Sequence, residues 1–220
     1  MKRKIWTYGG VVASFVLVAF GIVSIVVAAN GRSEIRSDIK REAIVGTPDM
    51  TPTAIKAEAT KAGLTNVDLP TTAVAGQQID NGARARVFAQ YMRIHALEAT
   101  GGFVYAQMGQ YKAKPGTPKA QLTPDGATNN TQYAALDPTT NLPVSNGARN
   151  VWVTETALTT ALNTSYMADQ LGNFGIVVGI ALLLSGIGFL IVAVGGIKAE
   201  SWLVVWYTQR RSAKARPVAA

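Results

Sequence analysis

The side chains able to do chemistry are few. The chain carries one histidine, His95, and no cysteine. Glu98 follows three residues on, and positions i and i+3 of a helix are neighbours, so imidazole and carboxylate could share one proton or one metal ion. A catalytic metal needs about three protein ligands. With no second histidine, Asp80 or another carboxylate would have to complete the set. The simpler reading is a His–Glu hydrogen bond that holds a helix against its neighbour. It is the expectation here, with no catalytic residue, cofactor or metal assigned and His95 and Glu98 the only candidates. Arg84, Arg86 and Arg93 cluster on the same segment. They could meet lipid headgroups or an acidic partner, or form a solvated face.

The absent residue types exclude whole classes of chemistry. Without cysteine there are no disulfides, no thiolate catalysis, no cysteine-ligated zinc and no iron–sulfur cluster. A haem with two axial ligands would have to pair His95 with a methionine or a weaker donor. No Gly-rich phosphate loop, nucleophile elbow or zinc motif occurs. The N-x-[ST] triplets at Asn129 and Asn163 read as chance matches.

The segment holding His95 is the best helix of the central region. It starts after Asp80-Asn81-Gly82, runs over 83–99 and stops at Thr100-Gly101-Gly102. Upstream, Ile35 and Ile39 lie four apart with Ala43 in line, which predicts a short amphipathic helix after Asn30-Gly31. Thr51-Pro52 reads as N-cap and first helical residue, with Gly63 as the stop, giving a helix over 52–62. Residues 65–78 read as irregular with room for one short strand, and 103–111 as a possible second short helix. Residues 112–150 contain Pro115, Pro118, Pro124, Pro138 and Pro143 among many Thr, Asn and Gly residues. Such a stretch buries little apolar surface, so an exposed loop is expected, either mobile or laid on a partner. Asn146-Gly-Ala-Arg149 repeats Asn81-Gly-Ala-Arg84, which hints at two related helix starts or is a coincidence of composition. A helix over 151–170 is expected to continue into the apolar run that follows, with Gly172 as a kink point.

Two charge-free runs frame this region, Ile5 to Ala29 and Phe174 to Ile197. As a helix the second reaches about 36 Å, enough for a hydrocarbon core of roughly 30 Å. The first is about twice as long as a signal-peptide core of 7–15 residues, so it reads as a retained anchor although Val27-Ala28-Ala29 resembles a cleavage site. Gly10, Ser14, Gly21 and Ala28 line one face of the first span; Gly175, Gly179 and Gly186 line one face of the second. Such faces let helix backbones approach closely. Trp6 and Tyr8, and beyond the second span Trp202, Trp206, Arg210 and Arg211, sit where interfacial anchors belong. Neither span holds an acid, base or histidine that would mark an ion path.

The formal charge is +8, and seven of the eight net charges lie beside the spans. By the positive-inside rule both termini face the cytoplasm and the central region lies outside. The charges suit an anionic lipid surface rather than nucleic acid.

His95-Ala-Leu-Glu-Ala-Thr-Gly-Gly102 with Tyr105-Ala106, and Glu155-Thr-Ala-Leu-Thr-Thr-Ala-Leu-Asn-Thr-Ser-Tyr166 leading into the last span, resemble a family of small actinobacterial membrane proteins. The likeness covers both spans, 83–106 and 151–197. It implies one span near each end around an extracytoplasmic helical domain. Family members often carry the label of aromatic ring-opening dioxygenases. The extradiol type of that enzyme holds iron with two histidines and a carboxylate, and this chain has one histidine. Some actinobacterial membrane proteins of similar build are accessory subunits of the cytochrome bc–cytochrome oxidase supercomplex.

The expectation is therefore an all-α membrane protein. It comprises a basic N-terminus (1–4), a span (5–29), an extracytoplasmic helical domain (30–173) with a Pro-rich loop (112–150), a second span (174–197) and a basic tail (198–220). The expected role is a non-catalytic accessory subunit in the plasma membrane, beside lipids and larger integral subunits such as the bc–oxidase. The alternatives are envelope assembly or lipid handling, and a metal-dependent enzyme using His95 and Glu98.

Overall fold

A computed structural model describes the backbone of Lys2–Lys214 and the side chains of residues 8–195. It contains four α-helices: α1 (Lys2–Arg41), α2 (Pro52–Lys61), α3 (Gly82–Ala99) and α4 (Gly147–Lys214). Three single 3-10 turns, Tyr105–Gln107, Lys119–Gln121 and Thr131–Tyr133, lie between α3 and α4. Among the described residues there is no strand, only isolated β-bridges. The long helices α1 and α4 each include a segment long and apolar enough to cross a membrane. The chain divides into two compact units. One comprises the residues up to Arg32 with those from Leu171 onward, and the other is Ser33–Gln170.

In the first unit, α1 and α4 pack antiparallel through small residues. Gly21 and Gly179 face each other so closely that a Cβ on either would sit 2.8 Å from the other's carbonyl oxygen. A Cβ on Gly186 would meet the Ser14 carbonyl at 2.9 Å, and one on Gly175 would meet the Ala28 methyl at 2.9 Å. Gly10 lies against Ala193 at an ordinary 3.5 Å. Ser14 is buried, and its hydroxyl donates to the Gly10 carbonyl at 2.7 Å. Ser24, on α1, donates to the Gly175 carbonyl of α4 at 2.9 Å. Gly172 faces Arg32, and α4 remains helical through it. The larger side chains point outward: Phe15, Phe20, Val27, Phe174, Leu184 and Val192 are all exposed. Tyr8 is exposed as well. The side chains of Trp6, Trp202, Trp206, Arg210 and Arg211 lie outside the described residues.

The second unit is built on α2 and α3, with the ends of α1 and α4 completing its core. Thr51 caps α2 by accepting from the Ala54 amide, Pro52 opens the helix, and Gly63 follows it at φ +68°. Asn81 caps α3 through the Arg84 amide, and Gly101 and Gly102 follow its end at φ +66° and +84°. Both helices start and stop where side-chain caps and left-handed glycines dictate. Ile55 and Ala59 of α2 join Phe88, Tyr91 and Ile94 of α3, Ile39 of α1 and Leu162 of α4 in one apolar cluster. Gly82 lets the start of α3 press on α4, because a Cβ there would lie 2.9 Å from the Tyr166 Cα.

Three local expectations change. The helix carrying Ile35 and Ile39 is the continuation of α1 through Asn30-Gly31. One interior glycine costs only about 1 kcal/mol, too little to end a long helix. Ala43 does not extend the line of Ile35 and Ile39. The helix ends at Arg41, and Ala43 is exposed at φ +51°. Residues 103–111 form only the one 3-10 turn.

The Pro-rich stretch folds on itself. Tyr111 and Thr128 exchange two backbone hydrogen bonds at 2.9 Å, and Lys112, Ala135 and Val144 link three extended pieces at 2.8–2.9 Å. Asp125 is its hub. One carboxylate oxygen accepts from the Gly109 and Ala127 amides and the Thr123 hydroxyl, and the other accepts from the Asn146 side chain. Order here comes from short polar side chains bonding to backbone, a source that apolar content does not measure.

Candidate metal centre and adjoining cleft

His95 sits on α3 between two apolar patches, since Ile94 belongs to the main core and Ala96 and Leu97 to a smaller cluster with Met108 and Trp152. Its side chain is about three-quarters buried. The carboxylates near its Nε2 are not on its own helix. Asp49, in the turn before α2, approaches to 3.3 Å, and Glu58 of α2 to 3.4 Å. The three residues can each offer a donor atom within 4.8 Å of the others. Glu98 is exposed and takes no part in this cluster. Asp80 is engaged elsewhere, 2.7 Å from Arg84.

Distance and direction disagree at this centre. Both contacts to Nε2 fall within ion-pair range, yet neither aligns as a hydrogen bond, and Nε2 is buried without a hydrogen-bond partner. The second oxygen of Asp49, Oδ1, is buried in the same condition. A buried polar atom left unbonded costs about 1–3 kcal/mol, so direction decides the reading and the cluster is not a settled hydrogen-bond network. The Thr47 hydroxyl holds the Asp49 carboxyl below its ordinary range; burial opposes this, and the Asp49 amide and His95 assist.

Next to His95 a cleft of about 510 Å³ opens between α3 and α4, lined by Met92, Ala96, Val151 and Leu158 among others. Glu155 lines it too. That residue is buried, its Oε1 lacks a hydrogen-bond partner, and its Oε2 receives only a long 3.4 Å contact from Thr156.

The arginines are more engaged than a solvated face would require. Arg86 stacks on Tyr166 at 4.7 Å, and Arg93 on Trp152 at 5.1 Å. Arg149 stacks on Tyr105 at 4.2 Å. Arg36 lies 3.5 Å from the buried Asp169. The repeated Asn-Gly-Ala-Arg tetrapeptide has a local use at both sites. Asn81 and Asn146 each accept an amide at a helix start, Asn146 from Ala148 at 3.1 Å. Of the cluster, only His95 was visible in sequence. Asp49 lies in a Pro-containing turn and Glu58 on a short helix, and no spacing relates them to His95. Compared with protein-family models, curated proteins and solved structures, the chain matches none.

Proposed function

We propose that this protein is a two-span, non-catalytic membrane subunit that braces larger integral membrane proteins, with both termini cytoplasmic and the helical unit outside. One observation carries the membrane reading. The paired helices use their small-residue faces for each other and leave nineteen large apolar side chains exposed among the described residues. Withdrawing each from water is worth about 1.5–3 kcal/mol. Covering this face with lipid or another helix is therefore strongly favoured over leaving it in water. The apolar runs contain no Asp, Glu, Lys, Arg or His, which argues against conduction through the pair. The partner we favour is the actinobacterial cytochrome bc–oxidase supercomplex, on likeness of build alone.

Mild-detergent purification through a C-terminal tag tests the partner. Haem absorbance and oxidase subunits should co-elute near stoichiometry. A colourless eluate holding envelope-assembly proteins would overturn the respiratory assignment. Because the chain is cysteine-free, topology can be read from single cysteines. Lys119→Cys should react with a membrane-impermeant maleimide on intact cells, and Ser212→Cys should not. The opposite pattern would invert the topology.

A second reading, lipid handling, is favoured by the cleft beside Glu155, whose volume and apolar lining suit an acyl chain. Lipid co-purifying with the wild-type chain, and lost with Val151→Trp, would support it.

A further inference from the structure

We propose that Asp49, Glu58 and His95 form a binding site for one divalent transition-metal ion, zinc foremost, which ties the turn before α2 and α2 itself to α3. The donor set is one imidazole nitrogen and two carboxylate oxygens, which suits zinc and its neighbours and is poor for calcium or magnesium. The spacing fits as well. Zinc bonds to nitrogen and carboxylate oxygen run about 2.0–2.2 Å, so tetrahedral donors lie about 3.4 Å from one another. The Asp49 and Glu58 oxygens stand 3.3 and 3.4 Å from His95 Nε2. Those distances are long for hydrogen bonds, and the misalignment that leaves Nε2 without a hydrogen-bond partner is the arrangement expected when donors converge on an ion between them. The supports are independent of the ion. Asp49 is held in a turn closed by the Met50 amide on the Thr47 carbonyl, and the Thr51 cap fixes the start of α2. Ile55 and Ala59 of α2 pack into the core that includes Ile94, the neighbour of His95. Three protein donors leave at least one coordination position for water. The site does not depend on the membrane reading or on any partner.

The experiment uses the full-length chain in detergent, purified through a cleavable tag that contains no histidine, stripped with EDTA and titrated calorimetrically with Zn²⁺. With one histidine and no cysteine in the chain, a single tight equivalent has to pass through His95. The expected result is one Zn²⁺ per chain with a dissociation constant at or below the micromolar range, and a melting temperature that rises with Zn²⁺ and falls again with EDTA. His95→Gln and Glu58→Gln should each weaken binding at least a hundredfold, while Asp68→Asn leaves it unchanged. Glu58 is partly exposed, so its amide variant keeps the test valid if the histidine variant misfolds. No stoichiometric binding by the wild-type chain, or equal binding by Glu58→Gln, overturns the site and shows an ordinary ion pair instead.

Discussion

Replacing Asp125 should release the segment between α3 and α4 while leaving the helices intact. The carboxylate accepts four hydrogen bonds: 3.2 Å from the Gly109 amide, 2.6 Å from the Thr123 hydroxyl, 3.2 Å from the Ala127 amide and 2.7 Å from the Asn146 side chain. Hydrogen bonds to a charged group are worth about 1.5–3 kcal/mol each in favourable settings. Asp125 is partly solvated, and water replaces some of them in the variant. A local loss of about 3 kcal/mol for Asp125→Ala is therefore a reasonable total, which is roughly a hundredfold in the open population. Asp125→Asn keeps an acceptor for three donors but turns an NH2 group towards the Asn146 NH2 or forfeits that bond, so about 2 kcal/mol is expected. Limited trypsin digestion reads this directly, since Lys112 and Lys119 lie in the segment and neither precedes a proline. Cleavage there should be slow in the wild-type chain and about a hundredfold faster in Asp125→Ala, with the 83–99 peptide unaffected in hydrogen exchange.

The pH dependence has a definite sign. Burial pushes the Asp125 carboxyl up, but the bonds from Thr123, Ala127, Gly109 and Asn146 together outweigh it and leave the value below ordinary. A lowered folded value means the stabilisation is fully present above the unfolded value of about 4 and is lost as pH falls through the folded value. Protection of the segment should therefore hold at pH 7 and decline only in acid, and Asp125→Asn should lack that decline. Equal cleavage of wild-type and Asp125→Ala chains at neutral pH would refute the hub and return the stretch to the exposed loop, mobile or laid on a partner, expected from composition.

Two further predictions concern backbone approach. Gly179→Leu should separate the paired long helices, because even a Cβ there lies 2.6 Å from the Ile25 side chain and 2.8 Å from the Gly21 carbonyl. Crosslinking between cysteines placed at Val18 and Ile187 should fall severalfold, and unchanged yield would remove the close-packed seam. Ala43 sits at φ +51°, where a Cβ costs about 1–2 kcal/mol. Ala43→Gly should therefore raise thermal stability by up to about 1 kcal/mol, after the entropy that glycine forfeits, as followed by a melt of the purified chain.

What could be read from sequence divides by the range of the cause. Thr51-Pro52, Gly63, Asn81 and Gly101-Gly102 act on residues within a turn or so, and the bounds of α2 and α3 follow from them. The two apolar runs were legible because span length is a property of one segment. The partners of His95 were not. Glu98 was a neighbour by spacing, but burial and the α2–α3 packing decide which carboxylates come close, and those are Asp49 and Glu58. The hydrogen bonds within the Pro-rich segment were not legible for the same reason. Its order rests on Asp125 reaching Gly109 and Asn146, contacts that no local pattern announces.

The core of the second unit joins Ile39 from one end of its sequence to Leu162 from the other, with Ile55, Tyr91 and Ile94 between them. Synthesis therefore places a burden on timing. While the ribosome is still making the segment after α3, the apolar faces of α2 and α3 have no lid, and the side that Leu162 will close stays open. Non-local closure of this kind slows folding and prolongs the interval in which a nascent chain can be captured or misassembled. Truncations ending before residue 150 should be poor reagents, recovered as aggregate or degraded. The smallest autonomous piece of this unit has to contain both its first and its last helical segments.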